Sequence, residues 1–309
     1  MHKNLIPALL AILLVTGMTA AAELLGNQEI LFPEIAAIAA GALLSPKLAW
    51  RTDALHMLLT VTLGAWAGIG IVRFVPLPLP AQMCFAFLIA SLGFLFSRTT
   101  FAPMISAIVL PVMLQTESIV YPIAAMTLTL LILGARKITE RCGFREHTPY
   151  EKLPLADGAA FGDTLLRWAI GSLLIWFAVS RGAKLAAAPP LLVAFTEFWN
   201  PKSPMQRMPF VGVTLIAICS GIGTALRITV IAHGFPLFLA AGVAMLFVAL
   251  IMIHTGLYLP PAAALAILAF LIPPESVARF PLEVLAGASI LTGIAVLQAR
   301  IRAIAFQKE

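Results

Sequence analysis

Arg136-Lys137-Ile138-Thr139-Glu140-Arg141 opens the only long polar stretch of this sequence, which continues to Phe161 with Gly, Pro and charges of both signs, as a linker does. Apolar runs lie on both sides of it. They fall at about 5–22, 31–45, 54–73, 81–97, 101–115 and 120–135, and again at 164–180, 186–199, 209–229, 235–253, 257–272 and 281–299. Six runs before and six after predict an all-α polytopic membrane protein: a first membrane repeat over 1–136, a cytoplasmic linker over 137–163 and a second membrane repeat over 164–309.

Composition points the same way. Apolar residues make up 61% of the chain and charged residues 11%, with a mean hydropathy of +1.00. A water-soluble protein needs a polar surface, and this chain has too little charge to make one. The formal charge of +6 does not imply a nucleic-acid partner, because Lys and Arg stand singly at the ends of apolar runs, as topological anchors do. Cys84, Cys142 and Cys219 form no CxxC pair and have no His at zinc-finger spacing, so no disulfide framework, metal or cofactor is expected. Residues 1–22 could pass for a signal peptide, but a retained first helix is the expectation.

The halves share an order of polar landmarks. Thr116-Glu117-Ser118 through Pro122 is echoed by Pro274-Glu275-Ser276 through Pro281, about 158 residues later. Ser45-Pro46 matches Ser203-Pro204, Pro80 matches Pro236, Arg98 falls on His254, and Pro103 falls on Pro260 or Pro261. Several runs have only about 15 residues, whereas a bilayer core needs roughly 20. Twelve crossings, or eight crossings with four re-entrant segments, are both conceivable. Twelve place Lys47, Arg51, Arg98, Lys202 and Arg207 on the cytoplasmic side with Arg73 and Arg227 outside, and eight reverse all seven, so the positive-inside rule favours twelve. Each half crosses an even number of times, which makes the repeat parallel.

The short runs begin near Pro: Phe32-Pro33-Glu34, Phe101-Ala102-Pro103, Pro189-Pro190 and Leu259-Pro260-Pro261. A helix starting inside the protein presents unpaired N–H groups and partial positive charge, a natural anion site when it faces a cavity. Arg98, Thr99 and Thr100 precede one such start, and His254 and Thr255 precede another. Glu34 and Glu197 lie in apolar surroundings where a carboxylate needs a partner. These residues, with Ser45 and Ser203, are the expected substrate-binding set. His56 and His233 lack spaced partners, and no catalytic signature such as HExxH, GxSxG or a P-loop occurs, so an enzyme is not expected. Gly64, Gly68, Gly70, Gly221 and Gly223 suit close helix packing.

The Ala-rich run from Phe32 to Ser45-Pro46, the stretch Ala194-Phe195-Thr196-Glu197 through Pro204, and a Pro motif before a short helix resemble the HPP family of integral membrane proteins, one unit per half. The signature His-Pro-Pro is Phe101-Ala102-Pro103 in one half and Leu259-Pro260-Pro261 in the other. The resemblance implies transport of a small anion such as nitrite. Exporters of aromatic acids of the fusaric-acid-resistance type have a comparable helical pattern and supply an alternative, and a non-catalytic membrane scaffold is a third. The partners expected are the lipid bilayer and a small-molecule or ion substrate. A homo-oligomer is compatible with this, and the location implied is a bacterial inner membrane with both termini cytoplasmic.

Overall fold

The computed structural model describes residues 2–201 and 203–306; Lys202, one of the seven basic residues weighed above, lies outside the described residues. Before the linker come α1 (His2–Leu24), α2 (Glu34–Ala39, continued by the π-helical turn Ala40–Leu44), α3 (Ala54–Phe74), α4 (Leu79–Phe96), α5 (Pro103–Leu114) and α6 (Val120–Arg141). After it come α7 (Gly158–Ser180), α8 (Pro189–Trp199), the single turn α9 (Pro204–Arg207), α10 (Pro209–His233), α11 (Leu237–Thr255), α12 (Pro260–Leu268), the single turn α13 (Pro274–Val277) and α14 (Phe280–Phe306). Every apolar run carries one helix, and no strand occurs among the described residues. The non-helical linker is shorter than the polar stretch suggests. Arg136 pairs with Glu140 one turn on and helps carry α6 to Arg141, and Asp157 caps α7 by accepting from Ala160 N–H at 2.8 Å.

Among the described residues, eight helices are long and apolar enough to cross a membrane: α1, α3, α4, α6, α7, α10, α11 and α14. Apart from the single turns α9 and α13, the remaining four, α2 with its π-helical turn, α5, α8 and α12, are roughly 14–18 Å long at 1.5 Å per residue. Those four short helices occupy the centre. α2 packs on α5 and α12, and α8 packs on the same two, closing a ring. Residues 34–44 and 260–268 are buried throughout. Their Ala-rich sequences explain this, because small side chains let helix backbones approach where lipid offers no hydrophobic drive to pack. The long helices form the outer shell and turn Leu13, Leu63, Phe74, Trp176, Phe210 and Leu250 outward.

Hydrogen bonds sort the helix ends onto two faces. On the linker face, Arg145 ties Lys3 O and Asn4 Oδ1 of α1 to Leu43 O and Leu44 O of α2. Lys47 pairs with Glu146, Arg98 Nε donates to Leu153 O at 2.6 Å, and Arg51 and Thr100 bond each other. Arg207 lies beside Arg300, and Arg302 of α14 pairs with Asp163 of α7. On the opposite face, Arg73 donates to Glu117 O, Gln115 at the end of α5 reaches Gln82 near the start of α4, and Lys184 reaches Met113 O. Leu185 N–H there bonds Glu283 of α14, and Glu23 of α1 accepts from the first N–H groups of α11. Arg227 sits in the half of α10 nearer this face.

Three of the five glycines singled out in the sequence sit at close approaches. A Cβ on Gly68 of α3 would stand 2.4 Å from Ile108 O of α5, one on Gly223 of α10 would stand 2.1 Å from Ala266 O of α12, and one on Gly64 would press on Ile108 at 3.0 Å. Gly70 and Gly221 face open space. At the start of α3, Asp53 accepts from His56 N–H and meets His56 Nδ1, each at 2.8 Å. Burial raises its carboxyl pKa, but the His56 backbone bond, ring bond and charge outweigh that and hold it below the ordinary value. Asp53→Ala should therefore cost about 1 kcal/mol at neutral pH. Because the folded pKa is depressed, the stabilisation is complete above about pH 4 and is lost as pH falls through the folded value. Thermal melts of wild type and variant in detergent should converge in acid; a constant gap would refute the cap.

Candidate functional site

A cleft of ≈ 460 Å³ opens on the linker face between the two sets of helices. The end of α4 supplies Phe94 and the turn after it Arg98, Thr99 and Thr100; α7 supplies Asp163, Thr164 and Arg167; α8 supplies Thr196, Glu197 and Trp199; residues 153–157 of the linker run along it. A second cleft of ≈ 650 Å³ adjoins it, shares Thr100, Leu153, Glu197 and Asn200, and reaches Ser45, Ser203, Tyr258 and Pro260. Trp50 Nε1 donates to Glu197 Oε1 at 3.2 Å where the two meet.

The turn from α4 into α5 builds one wall. Arg98 adopts the left-handed conformation (φ 55°), which costs a non-glycine residue about 1 kcal/mol or more. The linker compensates: Leu153 N–H donates to Arg98 O, Arg98 Nε donates to Leu153 O, and Tyr150 Oη donates to Arg98 O. Arg98 is thus a staple for the linker as well as a lining residue. Thr99 is buried, meets Ser97 Oγ at 2.9 Å and accepts from Phe101 N–H at 3.2 Å, while Thr100 Oγ accepts from Arg51 N–H at 2.8 Å. These hydroxyls shape the turn.

Of the expected set, Arg98, Thr99, Thr100, Glu197, Ser45 and Ser203 come together around the two clefts. Three do not. His254 and Thr255 are exposed at the end of α11 and line neither cleft; Thr255 Oγ bonds Ile251 O, one turn back in its own helix. The residue that shares the left-handed conformation of Arg98 at the matching helix end is Gly256, two positions on from His254 (φ 68°). Glu34 is 1% exposed, opens α2 in the buried interior, lines neither cleft, and accepts from Ser106 Oγ of α5. Only two of the four short-helix starts adjoin the clefts, α5 through Ala102 and α12 through Pro260; α2 and α8 bring their C-terminal ends there instead.

The sequence missed Arg167. It is 6% exposed, its guanidinium lies 5.5 Å from the centre of the Phe94 ring, and its Nε and Nη2 have no hydrogen-bond partner. Spaced four residues from Asp163 it resembles an ordinary anchor, but Asp163 is taken by Arg302 and by Trp199 Nε1 at 3.0 Å. No family model, curated protein or solved structure matches this chain, so the HPP resemblance rests on the quoted motifs alone.

Proposed function

We propose that the chain is a membrane transporter or channel for a small solute, most simply an anion, built from two tandem copies of one six-helix unit. The observation that carries it is the cleft between the two sets of helices, which brings Arg98 and Arg167, with Asp157, Asp163 and Glu197, into an otherwise apolar shell. Duplication is supported by the recurring order of long, short, long, long, short and long helices. It is supported again by matched close contacts at offsets of 155 to 158 residues: Gly68 on Ile108 and Gly223 on Ala266, and Phe87 on Gly171 where Gly242 meets Thr16. In the last pair the large and small partners are exchanged between copies.

Each short helix, together with the extended residues before or after it, joins the two faces, so twelve traversals fit the hydrogen bonds at the helix ends. On this scheme Lys47, Arg51, Arg98 and Arg207 share the face that carries both termini, which the positive-inside bias assigns to the cytoplasm. The open clefts on the linker face favour transport over a scaffold, whose interior would be packed throughout. Phe94 and Trp199, together with a volume well above that of an inorganic ion, favour the second reading, an organic or aromatic acid as the solute.

Proteoliposomes containing the full chain should take up labelled nitrite, nitrate or benzoate faster than protein-free vesicles. The same rate with and without protein for all three would overturn the anion reading.

A further inference from the structure

Resting on that reading of the cleft, we propose that Arg167 is its anion-recognition group, and that it takes the planar oxyanion head, most simply a carboxylate, of a water-soluble monoanion. A guanidinium cannot shed its charge at physiological pH, and buried without a counter-charge it is a cost that something must offset. Among the described residues no carboxylate pairs with it. Glu197 is held by Trp50, Asp163 by Arg302 and Trp199, and Asp157 by the first turn of α7. The two orphaned atoms, Nε and Nη2, form one edge of the guanidinium, whose parallel N–H groups match the two oxygens of a carboxylate.

The first half shows what a satisfied version looks like. At the corresponding junction of α1, α2 and α11, Arg145 from the linker fills the space and spends Nε, Nη1 and Nη2 on the carbonyls of Leu43, Lys3 and Leu44. At the junction of α7, α8 and α4 the cleft is open and Arg167 lines it, while its Nε and Nη2 are buried without a hydrogen-bond partner. Thr164 and Thr196 flank Arg167 in the cleft, and the linker edge at residues 153–157 places its mouth toward water. The ring of Phe94 and the side chain of Leu95 extend the apolar surface beyond the head group.

Titration of the purified full-length protein in detergent with sodium benzoate, by calorimetry and by melting temperature, tests the site. Wild type should bind benzoate and gain thermal stability. Arg167→Gln should weaken binding by at least about tenfold and lose the gain. Arg167→Lys should keep part of the affinity, because a point charge lacks the paired edge. Without ligand, Arg167→Gln should melt no lower than wild type, since it removes an uncompensated charge; a large fall would mark Arg167 as structural and overturn the proposal. Unchanged benzoate affinity in Arg167→Gln would overturn it too. Tighter binding of dihexanoyl phosphatidylglycerol than of benzoate would assign the site to a lipid headgroup and overturn the water-soluble ligand. Benzoate binding that depends on Arg167, with no flux in proteoliposomes, would keep this site and remove the transport reading.

Discussion

Gly223→Ala is expected to destabilise the protein by about 2–3 kcal/mol, the steepest loss for any single added methyl between α10 and α12. The new Cβ would stand 2.1 Å from Ala266 O and 2.8 Å from its carbonyl carbon. Both obstacles are backbone, so no rotamer change relieves them and the two helices must separate. In a membrane that separation is costly, because close packing of small residues is the main force holding helices together there. α12 belongs to the central ring, so the disturbance reaches α2 and α8. Gly221→Ala, on the same helix but facing open space, should shift stability by no more than about 0.5 kcal/mol. Melting curves of both variants in one detergent provide the comparison; equal shifts would show that the α10–α12 contact is looser than described.

Arg145→Ala should cost a similar amount, about 3 kcal/mol, for a different reason. The side chain closes the C-terminal end of the π-helical turn that continues α2, where the last carbonyls have no intrahelical donor, as at any helix end. It joins Leu43 O at 2.5 Å, Leu44 O at 3.1 Å and Lys3 O at 3.0 Å, while Arg136 donates to Ala42 O at 2.7 Å beside it. Burial pulls the Arg145 guanidinium down to about 10, with Tyr258 opposing and Arg136 adding to the fall, so it remains charged at neutral pH. Removing it orphans buried carbonyls, at roughly 1–3 kcal/mol each before water enters to compensate. Arg145→Lys should recover less than half, because one ammonium cannot reach three carbonyls in the fork geometry. Limited proteolysis across residues 142–157 should accelerate in Arg145→Ala alongside the drop in melting temperature.

Much of the architecture was legible in hydropathy. Each apolar run became a helix because, in lipid, a backbone segment must satisfy its own hydrogen bonds. Pro103, Pro189 and Pro260 marked helix starts correctly, since proline lacks the N–H that the first turn leaves unpaired. The site was less legible. Arg98 and His254 were paired by counting along the chain, but backbone handedness pairs Arg98 with Gly256, and a drift of two residues is enough to turn a helical side chain away from a cleft. Arg167 was passed over because a lone arginine in the first turns of an apolar helix is ordinarily an anchor reaching for the interface. What sets it apart is three-dimensional: Arg302, 139 positions further on, has already claimed Asp163. The Trp50–Glu197 bond, spanning 147 residues, has no trace in local pattern either.

The contact between α1 and α11 sets a schedule for biogenesis. Glu23 has its acceptor role only once Leu237 and Phe238 exist, and the face of α1 that packs on α11 has no protein to cover it before then. At ribosomal rates of about 5–20 residues per second, α1 waits roughly 10–40 s in the bilayer for α11. One side of α1 is thus covered early, by α2 and α6, and the other only late, and whatever shelters that second side in the interval, lipid or insertion machinery, must let go on cue.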